Sequence, residues 1–182
     1  ATDGATVGHG LSQTAEAVLV KRRDNAAHWQ YLHKNLASGK VLLLSSNNGE
    51  DSYSGFSGGG IDNLASTTFS LEDGSSNGDN VNASGGTYIA YCFHSVEGYS
   101  KIGEFKGNSS SDGTFVYLGF RPAWVLIKST SSGASWCIFD NKREGYNVDN
   151  DLMRVAAATE QTDDDVDFVS NGLKFRRSST NF

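Results

Sequence analysis

Three aspartates alternate near the end of the chain, at Asp163, Asp165 and Asp167. On a strand, residues two apart share one face, and a pair of carboxylates flanking a sugar bond is what a glycosidase uses as nucleophile and acid. Val166 and Phe168 occupy the opposite parity. The hydrophobic pattern therefore turns the aspartates outward into water, where they discourage edge-to-edge pairing of sheets. The first half of the chain has no acidic run at the corresponding place. The expectation is a solvated acidic edge and no hydrolase.

A second oxygen-rich stretch runs through Asp140, Asn141, Asn147, Asp149, Asn150 and Asp151. Calcium takes such ligands, and Asp140, Asn147, Asp149 and Asp151 are the candidates here. Their spacing matches no defined loop motif, and ordinary Asn and Asp turn chemistry explains the same residues. His9, His28, His33 and His94 show no metal-ligand pattern, and no Ser/His/Asp or Cys/His pairing stands out. Cys92 and Cys137 sit inside apolar runs without redox spacing, so two buried thiols are expected; a disulfide would require their strands to be adjacent. The remaining chemistry is recognition by aromatic rings. Trp124, with Tyr53, Phe56, Tyr99 and Tyr146 in or beside polar loops, offers amphipathic surface for sugar or protein contacts.

The elements that must position these residues are announced by a hairpin. Ala123 to Lys128 and Ser135 to Arg143 are apolar, β-branched and aromatic runs around a Ser/Gly loop. The same plan occurs at Ala17 to Lys21 and His28 to Lys34, with Lys21 answering Lys128 and Trp29 answering Trp136 at a fixed offset of 107. Such self-similarity marks a repeat of whole structural units. Trp29 and Trp136 are expected in the core, whereas Trp124 answers Ala17 and is not required by the fold.

Further correspondences extend the repeat. Thr2 to Gly10 answers Ser111 to Gly119, and Leu173 to Phe175 answers Phe69 to Leu71. Strands are expected at Lys40 to Ser46, Thr67 to Leu71, Tyr88 to Phe93 (buried), Tyr99 to Lys106 and, loosely, Asp151 to Ala156. A hairpin is expected to turn at Asn171-Gly172. Residues 47–60 and 72–86 read as surface loops. No sustained helical period is present.

Composition agrees. Of 182 residues, 21 are Gly and only one is Pro, with 37% hydrophobic and 10 Phe, 7 Tyr and 3 Trp, a mixture suited to short strands and tight turns. The fold class expected is all-β, an antiparallel β-sandwich of jelly-roll or lectin-like type in two repeated units. Residues 1–97 form the first, lacking its first strand, and 98–182 the second, lacking its last. The chain is expected to be a piece of a longer one, its open edges covered by flanking residues or neighbouring subunits. No apolar run approaches the roughly 20 residues of a membrane span. A net charge of -6 with dispersed cations argues against nucleic acid.

Asp112 to Lys128, Ser135 to Asp140 and Ser170 to Phe175, with Ala5 to Leu11, Val18 to Asp24 and Ser84 to Phe93 in the first copy, resemble a repeat domain of marine bacteriophage structural proteins. The likeness spans nearly the whole chain. That family occurs in tail, tail-fibre and other virion proteins, and is itself similar to lectin-type β-sandwiches. The resemblance implies a virion location and supplies no catalytic residues. The expected role is a non-enzymatic tail-fibre module contributing to recognition of a host-surface glycan; a purely structural spacer touching other virion proteins is the alternative. Expected partners are further copies of itself, as a trimer, other virion proteins and a host glycan, with neither nucleic acid nor membrane insertion. No cofactor is expected beyond calcium.

Overall fold

The computed structural model describes residues 2–53, 59–73, 80–143, 147, 152–155 and 166–179. The chain is all-β, with four antiparallel sheets and no α-helix among the described residues. It divides into two compact units, Ala1–Ser95 and Val96–Phe182.

The first unit contains β1 (Ala5–Gly8), β2 (Ala17–Arg22), β3 (Gln30–His33), β4 (Lys40–Leu43), β5 (Asp51–Ser52), β6 (Gly60–Leu64), β7 (Thr68–Glu72) and β8 (Tyr88–Phe93). Five of these form a sheet in the order β5-β4-β3-β2-β8, and the other three a sheet in the order β1-β7-β6. Alternation along β2 sends Val18 and Val20 inward, where they meet Leu32 from β3 and Ile61, Phe69 and Leu71 from the smaller sheet. One apolar core thus joins the two sheets. A polar group enters it as well: Gln30 is fully buried, donates from Nε2 to the Gly59 carbonyl (2.8 Å) and accepts the Ile61 N–H at Oε1 (3.3 Å). It ties β3 to the start of β6.

The second unit contains β9 (Phe115–Tyr117), β10 (Trp124–Ile127), β11 (Cys137–Asp140), β12 (Met153–Arg154), β13 (Val166–Val169) and β14 (Gly172–Phe175). Its sheets run β10-β11-β12 and β13-β14-β9. Ile127, Cys137 and Phe139 meet Phe168, Leu173 and Phe175 in a second core.

The two units repeat at the level of register. Ala17, Val18, Leu19 and Val20 pair with His33, Leu32, Tyr31 and Gln30. The residues 107 positions on, Trp124, Val125, Leu126 and Ile127, pair with Asp140, Phe139, Ile138 and Cys137 in the same register. The loops closing these hairpins share one internal bond. Lys21 Nζ donates to the Ala27 carbonyl at 2.9 Å, and Lys128 Nζ donates to the Ala134 carbonyl at 2.7 Å. Burial pushes the Lys128 ammonium below the ordinary lysine range. β12 answers β4 on the far side of the hairpin.

Several expectations are corrected. Tyr99 to Lys106 forms no strand; Phe105 instead stacks on Phe175 with ring centroids 4.9 Å apart. β8 is not a buried strand, since Ile89, Tyr91 and Phe93 are exposed. As the last strand of its sheet it turns only the Tyr88 and Cys92 side toward the core. Trp136 is buried as expected, but Trp29 is half-buried and stacks on Tyr91 at 6.4 Å. Both cysteines are free thiols, Cys137 buried and Cys92 half-buried. The β13–β14 turn is Ser170-Asn171, because Gly172 is already paired with Val169 and Tyr117. Glycine is required there by close approach: a Cβ would lie 2.1 Å from the Val116 carbonyl oxygen. β5 lies wholly within residues 47–60, which read as a surface loop, and β6 begins at the last of them.

Candidate functional site

An open groove of about 890 Å³ lies within the first unit. Three segments supply most of its wall: residues 11–16 before β2, residues 32–38 at the end of β3 and beyond it, and the 62–67 stretch of β6 and its turn; His94, just after β8, joins them. Leu11, Leu32, Leu36 and Leu64 supply apolar surface. Ser12, Gln13, Thr14, Ser38, Ser66 and Thr67 supply hydroxyl and amide groups.

Each wall is fixed by specific bonds. His9 Nδ1 accepts the Leu11 N–H (3.1 Å), which leaves the proton on Nε2, and Nε2 donates to the Ala65 carbonyl (3.2 Å). The first wall is thereby held to the third. Glu16 uses both carboxylate oxygens: Oε1 accepts Lys34 Nζ and Oε2 accepts the Ser95 N–H, each at 2.5 Å. Burial opposes ionisation of Glu16, but these partners outweigh it and hold the carboxyl below its ordinary range. Glu16 is an ionised strut. A general acid needs the opposite shift.

The third wall carries the one local irregularity of the ladder. Asp62 pairs with Ser70 and Leu64 with Phe69, so Asn63 is an extra residue, a β-bulge, with φ of 43°. Asn tolerates this left-handed conformation better than other side chains. Bulges gather beside functional sites because they re-aim side chains. In the second unit the corresponding pairs, Asp167 with Lys174 and Phe168 with Leu173, are consecutive. The bulge belongs to the first unit alone.

The same alignment places Asp62 opposite Ser70 where the second unit has Asp167 opposite Lys174, an acidic counterpart that simple spacing overlooks. Asp167 does not face water either; it is 7% exposed and paired with Arg176 at 2.5 Å. Asp163 and Asp165 lie outside the described residues. Lys174 also pairs with Asp112 at 2.6 Å. In the first unit the positions of Asp112, Asp167, Lys174 and Arg176 are held by Asp3, Asp62, Ser70 and Glu72. Burial first, and then the Asp3 carboxyl, push Glu72 above the ordinary range.

The ring and metal candidates are divided between the units. Tyr53 packs over Gly60, where a Cβ would lie 2.3 Å from the Tyr53 Cβ. Burial and then the charges of Asp62, Glu72 and Asp3 raise its pKa. Trp124 is 57% exposed and Tyr99 81% exposed, both in the second unit. Phe56 and Tyr146 lie outside the described residues. Asp140 accepts Arg143 Nε (2.9 Å) and the Lys142 N–H (2.9 Å). Burial would raise its pKa, but these bonds hold it low. Asn147 is exposed in a turn, and Asp149 and Asp151 lie outside the described residues. Among the described residues no group of three or more His, Cys, Asp or Glu side chains is placed to hold a metal ion.

Residues 1–182, the whole chain, match the model of a domain of unknown function, DUF7483. The chain belongs to that family. No curated protein and no solved structure matches it. The groove was not legible from spacing, since its walls come from three separated segments. The Asp-Asn dipeptide at 62–63, a left-handed former inside a short apolar run, is the one signal that marks it.

Proposed function

We propose that this chain is a non-enzymatic module of a phage virion, of tail-fibre type, and that the first-unit groove binds a host-surface glycan. The carrying observation is the groove itself. Hydroxyl and amide side chains line it together with four leucines, on walls fixed by the Glu16, His9 and Asn63 arrangements. A concave surface that sets convergent polar groups beside apolar ones can hold and orient a small polar ligand. A sugar ring offers the complement, with apolar C–H faces edged by hydroxyls.

The virion assignment rests on the resemblance of the repeated phrases to marine phage structural proteins. Two sheets around each core support a sandwich of lectin type. The ionised Glu16 strut and the Asp167–Arg176 pair favour binding over catalysis. Weak sites gain by multiplicity when copies are joined, which suits a fibre trimer. A structural spacer role is the second reading, favoured by the apolar strand edges.

Binding of the full chain to a glycan array and to marine bacterial cells tests the proposal. Ser38 is exposed on the groove wall, so Ser38→Trp obstructs the groove without touching the core. Saturable binding lost in that variant is the expected result. Absence of binding by the folded wild type would favour the spacer.

A further inference from the structure

The two units differ at one sheet edge. In the first, β2 lies between β3 and β8, and all six residues from Ala17 to Arg22 pair with Phe93 to Tyr88. In the second, the equivalent strand β10 pairs only with β11 among the described residues. Asn141 N–H donates to the Ala123 carbonyl, so Ala123 faces β11; by strand alternation Trp124 and Leu126 direct their backbone groups the other way. Their counterparts 107 residues earlier, Ala17 and Leu19, give those groups to β8.

Within β10 itself no charge, proline or bulge protects this edge, although Pro122 precedes the strand and Lys128 follows it. Natural sheets blunt edges with short strands, charges, bulges or kinks. β5 and β12 have two residues each, and β9 has three. β6 is bulged, β13 carries Asp167, and β1 is bracketed by Gly4 and Gly10 at positive φ. β10 is Trp-Val-Leu-Ile, with Trp124 57% exposed. β8 is the other uncharged edge, and among the described residues no strand lies beyond it.

We propose that the β10 edge is a strand-acceptor site, filled by an antiparallel strand of the β8 pattern from a further repeat of this domain. The β2–β8 ladder defines the occupant. It opposes Phe93 to Ala17, Tyr91 to Leu19 and Ile89 to Lys21. Carried to β10, that register sets an aromatic residue against Trp124 and another against Leu126. On its core side such a strand carries the counterparts of Cys92 and Tyr88, the two β8 residues that pack against the first core beside Val18 and Val20; Val125 and Ile127 hold the places of those valines in the second. Main-chain bonds supply affinity and alternate side chains supply selectivity.

The test uses the full chain with a synthetic peptide of residues 86–95, and in parallel a chain carrying that segment after Phe182 on a flexible linker. The added strand is expected to slow exchange of the Trp124 and Leu126 amides by about tenfold or more, a difference of ~1.4 kcal/mol, and to shift Trp124 emission to the blue. Leu126→Pro removes an N–H that β11 does not use, so it is expected to leave the second unit folded and abolish both changes. Trp124→Lys, read by exchange of the Leu126 amide alone, is the second control should proline disturb the strand. Unchanged exchange and emission in the linked chain would overturn the proposal. So would concentration-dependent pairing of β10 with β10 of a second chain, protecting the same amides without peptide.

Discussion

Exchanging one side chain between equivalent positions of the two units should stabilise the first. Glu72 occupies the place of Arg176, and Asp62 that of Asp167. Arg176 neutralises Asp167 at 2.5 Å, whereas Glu72 faces Asp3 and Asp62 and is pushed up by burial and by those charges. A carboxyl whose folded pKa exceeds its unfolded value binds more protons when folded, so its penalty is greatest at neutral pH and fades as pH falls toward the unfolded value. Glu72→Gln removes that penalty, and Glu72→Arg adds a pair of the kind seen in the second unit. Because the site is half-exposed, solvent screening limits the gain to about 0.5–1 kcal/mol for the arginine variant. For a unit of roughly 100 residues, 1 kcal/mol corresponds to a melting shift of about 4–8 °C. Hydrogen exchange resolved by peptide, at pH 7 and near pH 4.5, separates the units: amides of β6 and β7 should gain protection at pH 7, with β13 and β14 unchanged. The advantage should shrink at the lower pH. A loss of protection at pH 7, or a gain independent of pH, would refute the reasoning.

Other outcomes follow from the same geometry. Gln30→Leu leaves the Gly59 carbonyl and Ile61 N–H without their partner and should cost about 1–3 kcal/mol in urea unfolding. Gly172→Ala drives a Cβ into the Val116 carbonyl and should cost about 1–3 kcal/mol, read as loss of β9–β14 amide protection. Lys21→Met and Lys128→Met should each destabilise their own unit by about 1 kcal/mol, measured by thermal unfolding. For Lys128 the folded pKa is depressed, so wild-type stability should rise with pH just below 10.5.

The repeat was legible because its markers lie inside elements. Lys21 and Lys128 close their loops by the same bond, and the hairpin registers coincide. What escaped were features decided by neighbours. The apolar run of β8 reads as buried, yet an edge strand shows one face to solvent, so Ile89, Tyr91 and Phe93 are exposed. Tyr99 to Lys106 alternates like a strand but finds no partner strand. The bulge at Asn63 shifts β6 by one residue, which hid the correspondence of Asp62 with Asp167. Tyr53 had the right type for a ligand contact, but its ring root is committed to Gly60. The groove draws on backbone placement of distant loops, which periodicity does not report.

The most direct measurement of the central claim is saturable binding of the full chain to a glycan array, comparing wild type, Ser38→Trp and Trp124→Ala, each verified as folded by circular dichroism. The account predicts binding that Ser38→Trp abolishes and Trp124→Ala leaves intact. Binding that survives Ser38→Trp, or none at all by the folded wild type, would contradict it.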